Sequence, residues 1–229
     1  GPQIAEKLKN KNIDSKFIDG LRVTDKDTVK VVEDVLANEI NAEIVKSIND
    51  SGGKAIGLSG NKNNLLSASK LKLEIKNSDS NIEKLVDIGF VGQPTKVNTN
   101  LIKHHIKDGE IPVIAPLGID DEGNSYNINA DTAAGFIAGE LEASKLLLLT
   151  DVPGILDQDK KLISSLTLDD ASKIIDEDFI VGGMKPKILT CVEAMKKGVN
   201  KTTILDGRIP HSVVLELFTE HGIGTQIYS

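Results

Sequence analysis

The chain has 229 residues, enough for one large domain or two small ones with a core that can stabilise them. Its net charge of −7 argues against a general role in binding nucleic acids or membrane surfaces. The single cysteine, Cys191, excludes an intramolecular disulfide, and its place in an apolar-periodic helix predicts a small buried residue and not a nucleophile. No apolar run approaches the roughly 18–20 residues that span a bilayer, so we expect no membrane partner and a cytoplasmic protein.

Helical and extended patterns alternate along the first half of the chain. Apolar spacing predicts an amphipathic N-terminal helix, and Thr24-Asp25 is typical of the N-cap of the next one. The elements that we predict are helices over 2–11, 26–37, 40–51 and 98–108, strands over 54–58 and 111–115, hairpins over 64–97 with a polar turn at 77–81, and an acidic turn at 120–123.

A run of four leucines dominates the second half of the chain. Lys145 to Thr150 encloses this run between polar residues, which is typical of a strand buried on both faces in a parallel sheet. A polar turn that holds Asn127, Asn129 and Asp131 precedes it and opens a helix. The predicted elements are helices over 132–141, after Thr167, over 188–197 and over 210–218, and strands over 145–150, 203–205 and 224–228. This alternation predicts one α/β domain over residues 1–229, with a mainly parallel sheet covered on both faces.

Four places combine glycine or a helix N-terminus with charge. Arg22 offers a planar guanidinium to a carboxylate or a phosphate, or forms a surface or interdomain salt bridge. The cluster at 127–131 binds a ligand or merely caps a turn. The loop at 151–156, at the tip of the leucine strand, holds a nucleotide or is an ordinary β-to-α turn. Gly182-Gly183 allows close backbone approach to a phosphate, and Lys187 opposes the dipole of the helix that it opens, which indicates an anionic ligand.

Several common motifs are absent from the sequence. It contains neither a G-x-x-x-x-G-K-[ST] P-loop nor a G-x-G-x-x-G fingerprint of the Rossmann fold. The four histidines have no spacing typical of metal ligands, and we predict no metal site formed by protein residues. Gly57-Leu-Ser-Gly60 lacks the complete nucleophile-elbow pattern G-x-S-x-G. The residues by themselves therefore indicate an α/β enzyme that binds an anionic, phosphorylated ligand, and they leave the reaction open.

Seven strings follow one another along nearly the whole chain. They are GLRVTD at 20–25, GFVG at 89–92, IPVIAP at 111–116, YNINADTAA at 126–134, LLLTDVPG at 147–154, GGM followed by PK at 182–187, and the segment 218–227. Together they resemble the acetylglutamate kinases of the amino acid kinase family, and the strings at 126–134 and 182–187 are highly specific. The resemblance implies a three-layer αβα open sandwich with a mainly parallel central sheet, here without the N-terminal strands.

The resemblance also implies an activity and its residues. The reaction would transfer the γ-phosphoryl group of ATP to the side-chain carboxylate of N-acetyl-L-glutamate, giving N-acetylglutamyl 5-phosphate in arginine biosynthesis. By position, Arg22, Asn127 and Gly1 would bind substrate, Asp131 would orient the catalytic lysines, and Lys187 would stabilise the transferring phosphoryl group. The ATP site would be lined by Asp151, Val152, Pro153, Gly154, Ile155, Leu156, Phe179, Ile180 and Val181. Mg²⁺ would bind through the phosphates, since this chemistry needs positioning and positive charge more than a covalent nucleophile.

The departure from the family pattern is at the front of the chain. The family begins with a strand that carries a Lys-x-Gly-Gly motif, whose lysine is a second transition-state cation, and continues with a His-Gly-Gly-Gly turn. Neither motif stands in these 229 residues, and Gly1-Pro2 aligns with the end of that turn. We therefore expect the 229-residue chain alone to be inactive or nearly so, and the full-length protein to be a kinase. Lys185 stands where many members have an apolar residue.

The C-terminal segment indicates regulation. Residues 211–218 and 222–225 resemble arginine-inhibited members, which implies L-arginine as a feedback inhibitor and a homo-oligomer, a dimer or a hexamer, for the full-length protein. Two alternatives remain open. Another amino acid kinase, such as glutamate 5-kinase or carbamate kinase, is one, although the string at 127–131 argues against it. The other is a non-catalytic regulatory protein that binds arginine or a nucleotide, which a Lys-x-Gly-Gly strand encoded upstream of Gly1 would exclude.

Overall fold

A computed structural model describes residues 1–18, 20–76, 83–219 and 222–229. The chain forms two compact units, Gly1–Ala130 (unit 1) and Asp131–Ser229 (unit 2). The turn predicted at 77–81 lies outside the described residues. None of the helices within the described ranges is long and apolar enough to cross a membrane.

Within its described residues, unit 1 contains four β-sheets that differ in strand direction. Strands β3 and β8 are parallel, while a four-stranded sheet of order β10-β9-β4-β7 is mostly antiparallel. Two antiparallel two-stranded sheets, β1-β2 and β5-β6, complete the unit. The helices are α1 (Pro2–Asn10), α2 (Lys26–Glu33), α3 (Asn41–Asp50) and α4 (Thr99–Lys107). The strands are β1 (Phe17–Ile18), β2 (Leu21–Arg22), β3 (Ala55–Ser59), β4 (Leu66–Lys70), β5 (Leu73–Lys76), β6 (Glu83–Val86), β7 (Gly92–Val97), β8 (Ile111–Ala115), β9 (Leu117–Ile119) and β10 (Ser125–Asn127).

The two helices predicted after residue 26 form one continuous helical stretch. A π-helical segment, Asp34–Ile40, joins α2 to α3 without a break. The prediction of two separate helices was wrong because neither glycine nor proline stands between them to end the first. Asn41 follows the π-helical segment and is buried, and its amide donates to the carbonyl oxygens of Leu58 (3.3 Å) and Val113 (2.8 Å). The side chain thus ties the helix to both parallel strands, β3 and β8.

Unit 2 is organised around one four-stranded sheet of order β11-β13-β14-β12. The pairs β11/β13 and β12/β14 are parallel, and β13/β14 is antiparallel. The helices are α5 (Ala130–Glu140, which begins at the last residue of unit 1), α6 (Leu168–Ile174), α7 (Met184–Lys196) and α8 (Ser212–Phe218). The strands are β11 (Lys145–Thr150), β12 (Ser165–Thr167), β13 (Lys201–Asp206) and β14 (Thr225–Tyr228). Helix α7 packs its apolar face on this sheet through Ile188, Cys191, Val192 and Met195.

The leucine strand has the predicted bounds but only one fully covered face. Leu146 and Leu148 are buried in the core of unit 2, whereas Leu149 is 48% exposed. Strand β11 lies at the end of the strand order, and successive side chains alternate between the two faces of a strand. The prediction of burial on both faces was therefore wrong for Leu149, and the prediction of an α/β fold with parallel strands is confirmed.

Candidate functional site

Arg22 is a buried arginine at the end of β2. The residue is 8% exposed, and its guanidinium donates to the Ser15 hydroxyl and, at 3.5 Å, to the carbonyl oxygen of Gly1. Its Cζ lies 4.6 Å from the centre of the Phe17 ring, close enough for a cation–π contact. Burial lowers the pKa of Arg22, yet an arginine keeps its charge at neutral pH. No carboxylate of the described residues pairs with this guanidinium, so its remaining donors suit an anionic ligand.

A backbone framework joins Arg22 to Asn127. The hydroxyl of buried Thr24 donates to the carbonyl oxygen of Arg22 (2.8 Å). The side-chain amide of Asn127 in turn donates to that hydroxyl (3.4 Å). The backbone N–H of Phe90 donates to the carbonyl oxygen of Thr24 (2.6 Å), and the carbonyl oxygen of Phe90 accepts from the backbone N–H of Asn127 (2.9 Å). Gly89 has φ +79° and lies so close to Thr24 O that no Cβ fits there. Unit 1 thus holds the predicted substrate residues Arg22, Asn127 and, through Arg22, Gly1 in one neighbourhood.

The structure also corrects the local setting of Asn127. The sequence pattern placed it in a turn that opens a helix, but it is the last residue of β10 and pairs with Leu117 of β9. The three-residue strands β9 and β10 are too short to show a clear alternation. The sheet therefore fixes the backbone of Asn127, and it positions this residue more rigidly than a turn would.

Asp131 and Lys187 form an ion pair in unit 2. Asp131 lies in the first turn of α5 and Lys187 in the first turn of α7, which begins at Met184 and not at 188 as predicted. The Lys187 Nζ donates to Asp131 Oδ2 at 2.6 Å, and the two side chains are 17% and 24% exposed. A lysine in the first turn opposes the helix dipole, and a nearby carboxylate offsets this cost. The pair confines the ammonium group to one place in a half-buried environment.

Lys187 also lines a pocket of about 290 Å³ in unit 2. The pocket lies at the C-terminal end of β11 and the N-terminal end of α7. Its lining consists of Thr150, Asp151, Val152, Gly154, Leu156, Phe179, Ile180, Val181, Gly183, Met184 and Lys187. Most of the predicted nucleotide residues therefore line one cavity. The exceptions are Pro153, which is exposed outside the lining, and Ile155, which is fully buried in the core.

The N-terminus of α7 lacks a side-chain cap and lies at the pocket through Gly183 and Met184. Its N-cap residue, Gly183, has no side chain to accept from the first-turn amides, and the Met184 amide bonds only at 3.3 Å to Val181 O. Pro186 in the first turn carries no amide hydrogen, so it is chiefly the positive end of the helix dipole that favours a phosphate group here. Lys185, for which the sequence offered no role, pairs with exposed Asp176 at 3.0 Å and is not part of the lining.

Thr225, the first residue of β14, holds the loop at 151–156 in place. Sequence reasoning did not identify this residue. Its hydroxyl accepts a hydrogen bond from the Ile155 amide at 2.8 Å, and Gly154 packs against the same side chain. Thr225 is completely buried. A threonine in a closing strand is common, so only its place within the family-like segment 218–227 could have pointed to it.

Other reactive groups have no place in this site. Cys191 is completely buried, which confirms the predicted buried residue, and burial raises the pKa of its thiol to about 12. Among the described residues, no group of three or more His, Cys, Asp and Glu side chains could hold a metal ion. The lining of the unit 2 pocket includes one carboxylate residue, Asp151, and one lysine, Lys187.

Known proteins resemble this chain over its whole length. The profile of the amino acid kinase family matches residues 1–206. The acetylglutamate kinases of Rhodospirillum centenum and Rhodopseudomonas palustris are 53% and 52% identical over 228 residues. These alignments cover 99% and 100% of this chain, and 74% and 76% of the two relatives. A solved structure of N-acetylglutamate synthase from Neisseria gonorrhoeae, complexed with coenzyme A and N-acetyl-glutamate, superposes with a TM-score of 0.83 at 26% identity, covering 99% of this chain and 49% of that one.

Proposed function

Because this chain belongs to the amino acid kinase family, we propose that it transfers the γ-phosphoryl group of ATP to the side-chain carboxylate of N-acetyl-L-glutamate. The product is N-acetylglutamyl 5-phosphate, an intermediate of arginine biosynthesis. Relatives that share half of its residues over nearly its full length are acetylglutamate kinases, which confirms the prediction of a kinase of this type and disfavours glutamate 5-kinase and carbamate kinase. The family profile includes all of unit 1 and most of unit 2, which supports one kinase domain over residues 1–229.

The observation that supports most of the mechanism is the double placement of Lys187. Its ammonium is held by Asp131 at 2.6 Å, and the residue at the same time lines the unit 2 pocket. We propose that ATP occupies this pocket, with its phosphates towards the uncapped N-terminus of α7 and Lys187. There the lysine stabilises the charge that spreads over the phosphoryl oxygens in the transition state, and Asp131 keeps it in position.

Mg²⁺ fits this pocket as an ion carried by the nucleotide. The lining offers a single carboxylate, Asp151, and Mg²⁺ commonly keeps several waters and binds through one or two carboxylates and substrate phosphates. Bound in this way, Mg²⁺ would neutralise charge on the phosphates. The residues of this chain would position those phosphates through the N-terminus of α7 and Lys187.

We assign the acceptor to the neighbourhood of Arg22 and Asn127 in unit 1. The guanidinium is buried, fixed by Ser15 and Phe17, and has donors left for a carboxylate of N-acetyl-L-glutamate. Asn127 presents an amide that can both donate and accept, as an acetylamino group requires. The carbonyl oxygen and backbone of Gly1 border the same place through their contact with Arg22.

The test is a kinetic comparison in the full-length gene product, with ADP formation coupled to N-acetyl-L-glutamate. We expect Lys187→Gln to lower kcat by about 10²–10³-fold with a smaller change in KM, because an electrostatic contact to the transition state is lost. Arg22→Lys should mainly raise the KM for N-acetyl-L-glutamate, since lysine lacks the planar fork. Lys185→Gln is the matched control, because its ammonium pairs with exposed Asp176.

Wild-type kcat in Lys187→Gln, or an equal loss in Lys185→Gln, would contradict the assignment. Absence of ADP formation by the full-length wild type would instead favour the non-catalytic alternative, a protein that binds arginine or a nucleotide. The same assay on the 229-residue chain tests the expectation of little or no turnover.

Regulation and assembly remain proposals from the family resemblance. We propose that L-arginine inhibits the full-length protein through the C-terminal segment around α8, which an assay in millimolar arginine examines. We also propose a homo-oligomer, a dimer or a hexamer, which light scattering measures. A biosynthetic kinase that consumes ATP fits the cytoplasm, where we place it.

A further inference from the structure

Helices α5 and α7 approach each other at two glycines of α5. Gly135 lies against Thr190, and a Cβ at this glycine would overlap the Thr190 Cγ2 methyl group. Gly139 lies against Lys197, where a Cβ would come within 2.8 Å of Lys197 Cβ and 2.9 Å of its Cδ. Glycine is unfavourable inside a helix relative to alanine. Two glycines in an eleven-residue helix therefore indicate a need for close approach.

The ion pair of the site stands on the same helix face as these contacts. Asp131, Gly135 and Gly139 follow one another at intervals of four residues, so all three positions lie on one face of α5. On α7, Lys187 precedes Thr190 by three residues, which also places the two on one face. The close contact thus lies one helical turn from the ion pair on both helices, about 6 Å along α5 at 1.5 Å per residue.

We propose that Gly135 is a positioning residue for Lys187, because its missing side chain lets α7 come close enough for Lys187 to reach Asp131. A methyl group at position 135 has to displace Thr190, and over a single turn a helix transmits such a shift almost undiminished. Lys187 would then lose its 2.6 Å contact with Asp131 and its place in the pocket wall. The role of Lys187 in phosphoryl transfer rests on the proposed function, whereas the effect of Gly135 on the position of Lys187 does not.

The structure offers a rescue that separates this idea from simple loss of packing. With the Thr190 methyl group removed, the next atoms that a Cβ at position 135 would meet are Thr190 O at 3.4 Å and Thr190 Cβ at 3.7 Å, which are ordinary contacts. Thr190→Ser should therefore repair Gly135→Ala while having little effect alone. Gly139→Ala is the distance control, since its Cβ also overlaps a side chain at the end of α7, at Lys197 Cβ (2.8 Å), but two turns from Asp131.

The first measurement is the ¹H–¹⁵N resonance of the Lys187 ammonium group in the 229-residue chain, assigned by its disappearance in Lys187→Gln. We expect this resonance to move or broaden in Gly135→Ala, to return in Gly135→Ala/Thr190→Ser, and to change less in Gly139→Ala than in Gly135→Ala. Thermal unfolding of each variant establishes that it is folded. An unchanged Lys187 resonance in folded Gly135→Ala, or no return in the double variant, would overturn the proposal.

The second measurement is kcat of the full-length gene product with ATP and N-acetyl-L-glutamate. A misplacement of about 1 Å costs on the order of 10²-fold, so we expect Gly135→Ala to lower kcat by about that factor with little change in KM for N-acetyl-L-glutamate. The double variant should recover to within a few-fold of the wild type, and equal losses in Gly135→Ala and the double variant count against the proposal. If the wild type itself fails to phosphorylate N-acetyl-L-glutamate, the proposed function fails, and the resonance alone then decides the role of Gly135.

Discussion

The hydrogen bond between Thr225 and the loop at 151–156 can be removed with almost no change in the shape of the Thr225 side chain. Thr225→Val replaces the hydroxyl by a methyl group, and the Ile155 amide, which donates to that hydroxyl at 2.8 Å, then has no acceptor. Both residues are completely buried, so water cannot take over this bond without opening the loop. A buried donor left unsatisfied costs about 1–3 kcal/mol. For a chain of this length, each kcal/mol corresponds to about 2–4 °C in Tm.

The assay for Thr225→Val combines thermal unfolding with calorimetric titration of ATP into the 229-residue chain. We expect a lower Tm and weaker ATP binding, because the loop at 151–156 lines the pocket and Thr225 holds it. Thr225→Ser keeps the hydroxyl and should retain most of the affinity. Thr202→Val is the matched control, since Thr202 is equally buried but its hydroxyl makes weak contacts with sulfur, Met195 Sδ at 3.7 Å and the Cys191 thiol. Equal Tm values for Thr225→Val and Thr202→Val would refute the reasoning.

Two further predictions concern unit 1. Burial and then the 2.9 Å hydrogen bond to Asp120 raise the pKa of Tyr126 to about 12, above the value of about 10 in an unfolded chain. The neutral phenol therefore stabilises the fold below pH 10, and this contribution is lost between pH 10 and 12. Denaturant unfolding should show a fall in stability over that range that Tyr126→Phe reduces, and an unchanged pH dependence in the variant would count against it. Asn41→Ala should lower the free energy of unfolding by about 1–3 kcal/mol, since two buried carbonyl bonds to β3 and β8 disappear. Asn38→Ala, which loses only an exposed bond to Asp34, is its control and should differ by less than about 0.5 kcal/mol.

The elements that sequence reasoning located best carry strong local patterns. Strand β11 has the predicted bounds, Lys145–Thr150, because a purely apolar run between polar residues leaves little freedom. Helix α6 begins after Thr167, whose hydroxyl caps the Asp170 amide at 3.1 Å as the Thr-x-x-Asp pattern indicates. Local chemistry of this kind needs no knowledge of the rest of the fold.

The features that were missed depend on contacts distant in sequence. The π-helical segment Asp34–Ile40 is followed by Asn41, whose partners Leu58 and Val113 lie 17 and 72 residues away. Thr225 acts on a loop 70 residues earlier. Strand β10 needs β9 as its partner, so its three residues could not be recognised alone. By contrast, local glycine, cap and charge patterns singled out Arg22, Asn127, Asp131 and Lys187, and the family resemblance supplied the roles that we propose for them.

Because its one cysteine is buried, this chain is well suited to site-specific labelling. Cys191 is completely buried and its pKa of about 12 keeps it protonated, so thiol reagents at neutral pH would leave it untouched. A fluorophore could therefore be attached at one introduced cysteine without first removing the native one. Val181 is 70% exposed and borders the unit 2 pocket, so Val181→Cys would place such a reporter beside the entering nucleotide. Occupancy of the pocket could then be followed directly, separately from turnover.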